Sequence, residues 1–219
     1  LGLSETQQTL IQNGLRDRVV LECDGQLKTA HDVAVDCLLG AQEFGFGTIS
    51  LVALGCVMMR VCHLNTCPVG IATQNPELRK KFQGQPEHVV NYMYFVAQEL
   101  REIMARLGFR KLDEMVGQVS KLDRSPAIDH YKARGIDLSP ILHQVPAGEG
   151  VQVRNTQTQE HRVGESIEFE IIEKAHPALF RKEKTTLDFK IRNTDRAVGA
   201  IISNEISKIY GASGLPDNT

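Results

Sequence analysis

Residues 19–48 read VVLECDGQLKTAHDVAVDCLLGAQEFGFGT, and this stretch decides the fold. It opens with a short run of β-branched and apolar residues, 19–23, that stops at an Asp-Gly pair, a pattern typical of a buried strand. Apolar residues then recur at helical spacing over 30–39 and end at a glycine, which is favoured just after a helix. Residues 44–48 form a second short strand candidate. Strand, helix and strand with short connections predict the unit of a parallel sheet or a barrel.

Two further helices are predicted on either side of this unit. The first is expected over 4–13. The second is expected over 86–107, where apolar residues fall at steps of three and four and Gly108 can end the helix. Such a stripe is typical of a helix side packed on the core rather than of a partner-binding face. Its members are Val89, Met93, Val96, Leu100, Ile103 and Leu107.

The C-terminal part of the chain has a different texture. Apolar and charged residues alternate over 167–171 and over 187–191, which predicts half-exposed strands. Residues 196–211 fit either short strands or a helix. Prolines and glycines concentrate before this region and predict a linker. The predicted domain organisation is therefore 1–125, a linker at 126–150, and a β-rich region at 151–219.

Composition excludes several classes of partner. The chain has 25 basic and 27 acidic residues scattered along it, a formal net charge of -2, whereas a phosphate backbone requires a basic stripe. Nucleic acid is therefore not expected as a partner. No apolar run approaches the roughly 18 residues of a membrane span, and no signal peptide is recognisable, so we expect a cytoplasmic protein without a membrane partner. Because the first residue is Leu1 rather than Met, we also expect a piece of a longer protein.

Three of the five cysteines lie close together in the sequence. Cys56, Cys62 and Cys67 have the spacing C-x5-C-x4-C, and proline follows at once. Thiolates are soft ligands suited to iron–sulfur clusters or zinc, and one wrapped loop could bring all three to one metal centre. Cys23 and Cys37 stand alone in a predicted strand and a predicted helix, and we interpret them as small buried residues.

The alternatives for the cysteine loop differ in their ligand requirements. Disulfides are disfavoured in a cytoplasmic chain with an odd number of cysteines. Structural zinc usually takes four ligands, often from C-x2-C pairs, and His63 is adjacent to Cys62, so the two rarely reach one ion. Three ligands favour a [3Fe-4S] cluster. A zinc-stabilised nonenzymatic scaffold and a stand-alone iron–sulfur electron carrier remain as alternative functions.

The cysteine loop also carries a family resemblance. Residues 55–70, GCVMMRVCHLNTCPVG, with ATQNP at 72–76, resemble the cluster loop of glutamate synthase large subunits. The similarity runs from LSET at 3–6 to NTDR at 193–196. This resemblance implies that Cys56, Cys62 and Cys67 are the three ligands of a [3Fe-4S] cluster.

A second site is expected where the two predicted strands end. Asp24, Gly25 and Gln26 follow the first strand, and Gly45, Gly47 and Thr48 belong to or follow the second. Glycines alone usually mark ordinary turns, although phosphate sites also use them to expose backbone N–H groups. The resemblance implies the last two βα units of a (β/α)8 FMN-binding barrel, with these six residues at the FMN phosphate. We interpret Lys28 and His31 as solvated surface positions.

The resemblance also implies a function for the whole protein. Glutamate synthases make two glutamates from glutamine and 2-oxoglutarate by FMN-dependent reduction of an imine. This chain is expected to hold the cluster and part of the FMN phosphate site and to relay electrons, with no catalytic residue of its own. Residues 151–219 resemble the start of a right-handed β-helix. The implied partners are the rest of the large subunit and either ferredoxin or a small NAD(P)H-oxidising subunit carrying FAD and [4Fe-4S] clusters, in the cytoplasm or a plant plastid stroma.

Overall fold

The computed structural model describes residues 1–125, 130–133, 135–217 and 219. The chain divides into two compact units, Leu1–Thr158 and Gln159–Thr219. Part of the predicted linker, residues 126–129 and 134, lies outside the described residues. The predicted domain bounds stay a prediction.

The first unit combines α-helices with one small sheet. Short 3-10 turns at Arg16–Arg18, Cys62–Leu64 and Val119–Lys121 connect some of its elements. The elements in chain order are α1 (Gly2–Gln12), β1 (Glu22–Asp24), α2 (Ala30–Leu39), β2 (Glu43–Gly45), α3 (Thr48–Ala53), α4 (Pro76–Arg79), α5 (Pro86–Leu107) and α6 (Leu112–Met115).

The predicted strand–helix–strand unit is confirmed, but the strand predicted over 44–48 is wrong after Gly45, and Thr48 begins α3. β1 and β2 are parallel neighbours, with α2 as the connection between them, and Cys23 is opposite Phe44 in the register. The ladder is shorter than the apolar run, because residues 19–21 have no strand partner and only three residues of each strand pair. Parallel register places the C-terminal ends of both strands at the same edge of the sheet. The loops that follow Asp24 and Gly45 are thereby neighbours.

Helix α2 begins at a capping box. The side chain of Thr29 accepts a hydrogen bond from the N–H of Asp32, and the Asp32 carboxylate accepts one from the N–H of Thr29 at 2.8 Å. The capping box thus satisfies two of the backbone N–H groups that have no partner within the helix. The helix ends at Gly40, whose φ of 124° is open to glycine and costly for other residues.

The long helix α5 is confirmed over Pro86–Leu107, and Gly108 follows it with a φ of 88°. Its predicted apolar stripe faces the core, since every member is buried or half-buried. The stripe packs on the buried face of α2 in two clusters, because both helices present apolar residues at helical spacing. The buried members are Ala30, Val33, Ala34, Cys37, Leu38, Val96, Met104, Met115 and Val116.

A buried arginine joins α1 to the sheet. The Arg16 guanidinium has no exposed surface and donates to the carbonyl oxygen of Gly40 at 3.0 Å, to Gln42 Oε1 at 2.8 Å and to the carbonyl of Val19 at 2.7 Å. It also donates to Gln7 Oε1. All of these acceptors are neutral, and burial lowers the pKa of Arg16 to about 10. Arg16 therefore fixes the segments that enter β1 and leave α2.

The second unit is helical in its described residues. It contains α7 (Glu168–Lys174), α8 (His176–Arg181) and α9 (Ala200–Tyr210), and no described residue of 159–219 is in a strand. The strand predicted at 167–171 is therefore wrong. A half-exposed strand would place Glu168 in solvent, but Glu168 is 2% exposed and its Oε2 accepts the N–H groups of Ile201 and Ile202. A buried carboxylate at the start of α9 satisfies two of that helix's orphan donors.

The strand predicted at 187–191 is wrong as well. Leu187 and Phe189 are half-buried between exposed Asp188 and Lys190, as the alternation predicted, but Ile191 is 65% exposed. The segment nevertheless pairs with no strand among the described residues, and strand formation requires a ladder of hydrogen bonds with a neighbour. The stretch 196–211, which fitted either short strands or a helix, contains helix α9. Within the described part of the chain, no helix has the length and apolar character needed to cross a bilayer.

Candidate cofactor sites

The loops that follow β1 and β2 form an open cleft of about 390 Å³. Parallel register brings them together even though a whole helix separates them in sequence. All six residues predicted for the phosphate site line this cleft, together with one additional aromatic residue. The lining residues are Asp24, Gly25, Gln26, Gly45, Phe46, Gly47 and Thr48.

The glycines of the cleft serve different purposes. Gly25 has a φ of 99°, and Gln26 follows with 66°, so the chain turns sharply after β1. A Cβ at Gly45 would lie 2.5 Å from Asp24 Cβ, its partner in the register, so the sheet itself requires glycine there. A Cβ at Gly47 would meet no atom within 4 Å, so this position faces open space. The bare backbone at Gly47 leaves room for an anion beside it.

The start of α2 is closed to an anion. Asp32 Oδ2 accepts the N–H groups of Lys28 at 2.9 Å and Thr29 at 2.8 Å, and Glu99 Oε2 accepts that of Ala30 at 3.1 Å. The hydrogen bond from the Thr29 N–H is the main cause that holds the pKa of Asp32 below its usual range, so this carboxylate is charged at neutral pH. Two carboxylates at one helix end repel a phosphate.

The loop after β2 is the more favourable side of the cleft. Helix α3 begins after Gly47 without a side-chain cap, so the N–H groups at Gly47 and Thr48 are not taken by a capping side chain. Backbone N–H groups beside a glycine suit phosphate oxygens. The cleft therefore fits a phosphate group, with its best donors after β2.

The sequence interpretation did not identify two residues at this site. Glu99 and Tyr92 lie on α5, and the Tyr92 hydroxyl donates to the carbonyl oxygen of Lys28. Together they hold the segment between the phosphate loop and α2. Glu99 is 69 positions from its partner in the sequence, and Tyr92 is 64 positions from its partner. The only sequence signal was the helical spacing of Tyr92 and Glu99, which indicates that they share one face of α5.

The three predicted cluster ligands lie on the loop between α3 and α4. Cys67 is buried, Cys56 is half-buried and Cys62 is exposed. Across the described residues, no group of three histidine, cysteine or acidic side chains is arranged to hold a metal ion. The structure therefore keeps the three cysteines on one loop but does not gather them around one point.

Backbone N–H groups surround two of the three sulfur atoms. The N–H of Ala72 is the main cause that lowers the pKa of the Cys67 thiol, and those of Val69, Ile71 and Gly70 add to it against the effect of burial. The N–H of Met58 lies 3.4 Å from Cys56 Sγ. Hydrogen bonds to sulfur favour thiolates and tune iron–sulfur clusters.

Zinc and iron–sulfur clusters place different demands on these thiols. Zinc binds its thiolates at about 2.3 Å around a single ion, which brings the sulfur atoms close together. In a cluster of several irons, each cysteine binds its own iron, and the sulfur atoms stand further apart. The chain offers three soft thiols, two of them beside backbone N–H donors, and such ligands suit either kind of centre.

Asn65 fixes the conformation of the segment between Cys62 and Cys67. Its backbone is left-handed, with a φ of 58°, which asparagine tolerates better than most residues. Its Oδ1 accepts hydrogen bonds from the Gln74 N–H at 2.6 Å and the Thr73 hydroxyl at 2.9 Å. The loop is therefore closed on itself by one side chain.

The two isolated cysteines, Cys23 and Cys37, lie outside the cysteine loop. Cys37 has no exposed surface, and its Sγ lies 3.7 Å from the carbonyl oxygen of Leu112. Burial raises the pKa of Cys37 to about 12 and that of Cys23 to about 11. The interpretation as a small buried residue is confirmed for Cys37, while Cys23 is half-buried.

Comparison with known proteins gives one consistent set of similar sequences. A family model described as "Conserved region in glutamate synthase" matches residues 1–110, and one described as "GXGXG motif" matches residues 168–219. Similar proteins include "Glutamate synthase (NADH)" of Schizosaccharomyces pombe and "Glutamate synthase (NADPH) large chain" of Bacillus subtilis, each 53% identical. "Ferredoxin-dependent glutamate synthase, chloroplastic" of Oryza sativa is 42% identical.

These relatives are much longer than the chain. The alignments cover 100% of the chain but 10% of the S. pombe protein and 14% of the B. subtilis protein. The rice alignment covers 98% of the chain and 13% of that protein. The chain thus spans about a tenth to a seventh of the length of these relatives.

Proposed function

The chain belongs to the glutamate synthase family, and we propose that it is the part of a large subunit that holds the [3Fe-4S] cluster and part of the FMN phosphate site. The observation that carries the proposal is a pair of loops that lie on either side of α3 in the sequence and have different chemistry. One, after α3, presents three thiols, and the other, at the ends of β1 and β2, presents an open cleft with backbone donors. Relay of electrons between a cluster and a flavin needs both.

Cys56, Cys62 and Cys67 are the proposed ligands of the cluster. The N–H groups around Cys67 and Cys56 support this assignment, because they stabilise thiolate sulfur. When bound, such a cluster supplies one-electron transfer. The residues of the chain contribute the thiolates, their hydrogen bonds and the loop closure by Asn65.

The phosphate of FMN is proposed to occupy the cleft after β1 and β2. Gly25, Gln26, Gly47 and Thr48 offer backbone contacts there, and Asp24 and Gly45 complete the lining. When bound, FMN supplies hydride chemistry toward an imine. The chain itself orients the cofactor by its phosphate and supplies no proposed catalytic residue.

The fold of the whole protein is part of the same proposal. We take β1–α2 and β2–α3 as the last two βα units of a (β/α)8 barrel, in agreement with their parallel register and with the position of the cleft beyond their C-terminal ends. Residues 151–219 are proposed to lead into a right-handed β-helix. The GXGXG motif model matches residues 168–219 of this region.

The proposed overall reaction and its partners rest on membership of the glutamate synthase family. We propose synthesis of glutamate from glutamine and 2-oxoglutarate, with electrons from a small NAD(P)H-oxidising subunit carrying FAD and [4Fe-4S], or from ferredoxin. Relatives named for NADH and NADPH, each 53% identical, and one named for ferredoxin, 42% identical, support these donors. The proposed compartment is the cytoplasm, or the plastid stroma in a plant, as the rice relative's name suggests.

Metal and flavin analysis of the purified chain tests this function against its alternatives. After anaerobic reconstitution with iron, sulfide and FMN, we expect bound iron, bound flavin and the visible absorption of both. A colourless protein with stoichiometric zinc would instead support a nonenzymatic scaffold. Bound iron without any flavin would support a stand-alone electron carrier.

A further inference from the structure

An open apolar pocket lies beside α2 and has a volume of about 220 Å³. None of its described lining residues also lines the cleft after β1 and β2. Its wall is made of six aliphatic side chains, each of them half-buried: Val35, Leu39, Leu122, Leu138, Ile141 and Leu142. Water at this wall meets apolar surface, so a ligand with an apolar group gains free energy by replacing that water.

One side of this pocket is held in place by α1. The turn that carries Leu138 and Ile141 is closed by a hydrogen bond from the Ile141 N–H to the carbonyl oxygen of Leu138 at 3.1 Å. The hydroxyl of Ser4, a buried residue, donates to the carbonyl oxygen of Ile141 at 2.6 Å, and Gln8 Nε2 donates to that of Pro140 at 2.9 Å. The wall is therefore formed before any ligand binds, which lowers the cost of binding.

Two opposite charges lie where the pocket opens. A polar cleft of about 350 Å³ adjoins the pocket, because Leu122, Asp123, Arg124 and Leu142 line both. Asp123 and Arg124 are exposed. Within the described part of the chain, neither side chain has an ion-pair partner within 4.0 Å. The apolar wall thus ends at one unpaired cation and one unpaired anion.

The cation at this opening is bound only to a neutral group. Arg124 Nη1 donates to Ser139 Oγ at 3.1 Å, which leaves other guanidinium donors for a ligand. Asp137 acts on Arg124 electrostatically from beyond 4.0 Å, and its own Oδ1 accepts the Ser139 N–H at 2.9 Å. A ligand carboxylate would form a stronger, charge-assisted bond with Arg124 than the serine hydroxyl does.

The anion at this opening is half engaged. Asp123 Oδ1 accepts the hydroxyl of Ser125 at 2.7 Å and its N–H at 2.8 Å. The Ser125 hydroxyl is the main cause that holds the pKa of Asp123 below its usual range, so the carboxylate is charged at neutral pH. Among the described residues, Asp123 Oδ2 has no hydrogen-bond donor, and this oxygen can accept from an ammonium group.

We propose that the pocket binds a zwitterionic aliphatic amino acid, with its side chain against the aliphatic wall, its carboxylate on Arg124 and its ammonium on Asp123. A simple carboxylate would face the charge of Asp123, and a simple amine would face that of Arg124. A zwitterion satisfies both. The pocket has the volume of about seven liquid waters, enough for a branched side chain of four carbon atoms. This site goes beyond the proposed function, since it uses neither cofactor loop.

Calorimetric titration of the full chain with three amino acids tests the inference. We expect L-leucine to bind with a saturable isotherm. L-alanine should bind at least about tenfold more weakly, because it lacks most of the side chain that the wall would cover. L-glutamate should also bind at least about tenfold more weakly, because its second carboxylate would enter an apolar pocket without a partner.

Variants of the opening test the two charges. We expect Arg124→Gln and Asp123→Asn each to weaken L-leucine binding about tenfold or more, because each removes one charge-assisted bond. Val35→Phe should also weaken it, because the larger ring fills the pocket. Arg101→Gln is the matched control for Arg124→Gln, since Arg101 is an exposed arginine that also donates to a neutral oxygen, Gln98 Oε1 at 3.2 Å. It should leave the affinity unchanged.

Three results would overturn the proposal. They are no saturable binding of L-leucine to the folded wild type, equal affinities for L-leucine and L-alanine, and an unchanged affinity in Arg124→Gln. If Arg124→Gln does not fold, analogues decide with the wild type: 4-methylpentanoate lacks the ammonium and 3-methylbutylamine lacks the carboxylate. Both must bind at least about tenfold more weakly than L-leucine, and equal binding of either overturns the proposal. Neither iron nor flavin is needed, so these results are separate from the test of the proposed function.

Discussion

Glu99 Oε2 accepts a hydrogen bond from the backbone N–H of Ala30 at 3.1 Å. Glu99 lies on α5, the long helix that follows the cysteine loop, and Ala30 is the first residue of α2, which follows the phosphate loop. This contact links the two proposed cofactor loops through a pair of packed helices. A helix N-terminus that is capped from another helix depends on that helix for its position.

Removal of this contact should loosen the start of α2. We expect Glu99→Ala to lower the free energy of unfolding by about 1 kcal/mol, because one helix N–H loses its partner. Glu99→Gln keeps a carbonyl acceptor and should lose less than half of that. Urea unfolding followed by circular dichroism measures both. A loss equal to that of the exposed neighbour variant Glu102→Ala would contradict this role.

The capping carboxylate of Asp32 predicts a pH dependence of stability. Its pKa is held below the ordinary value of 3.8, chiefly by the Thr29 N–H, so the folded state prefers the charged form. Its contribution is therefore present above about pH 4 and is lost as the pH falls through the lowered folded pKa. We expect Asp32→Ala to cost about 1 kcal/mol at pH 7 and clearly less at pH 3. A cost that stays constant between these pH values would contradict the assignment.

Gly45 and Gly47 provide a matched pair of substitutions. A methyl group at Gly45 meets Asp24 Cβ at 2.5 Å, whereas one at Gly47 meets nothing within 4 Å. We expect Gly45→Ala to destabilise the chain by about 1–3 kcal/mol through overpacking, and Gly47→Ala to change stability by less than about 0.5 kcal/mol. Thermal unfolding compares them. Equal effects would show that the register at Asp24 does not require glycine.

Asn65 combines a left-handed backbone with hydrogen bonds across the cysteine loop. Asn65→Ala loses both advantages and should destabilise the chain by about 2 kcal/mol. Asn65→Gly keeps the favourable backbone and loses only the bonds to Thr73 and Gln74, so it should cost about 1 kcal/mol. Chemical unfolding of the two variants separates the contributions. A glycine variant less stable than the alanine variant would contradict this account.

Local patterns in the sequence predicted the parts of the fold that depend on short-range periodicity. The run after Val19, the helical spacing of α2 and the stripe on α5 each identified an element correctly. The phosphate residues could be grouped in advance because parallel strands place their following loops at one edge. The contacts of Glu99 and Tyr92 could not be predicted, because they join residues more than 60 positions apart in the sequence.

The failed strand predictions have a physical explanation. Ile167 and Ile171 are four residues apart, a spacing that puts them on the same face of either a strand or a helix. A segment of five residues is therefore too short to distinguish the two periods. The burial of Glu168 against the start of α9 is a tertiary contact that no local pattern encodes. At 187–191 the burial alternates from Leu187 to Lys190 but Ile191 is exposed, and a strand also needs a neighbouring strand.

The central claim is that Cys56, Cys62 and Cys67 hold a [3Fe-4S] cluster, and EPR spectroscopy of the anaerobically reconstituted chain tests it most directly. We expect the oxidised wild type to give a [3Fe-4S] signal, Cys62→Ser to lose it, and the control Cys23→Ser to keep it, because Cys23 lies on β1 outside the loop. Absence of the signal from the wild type, or its survival in Cys62→Ser, would contradict the account.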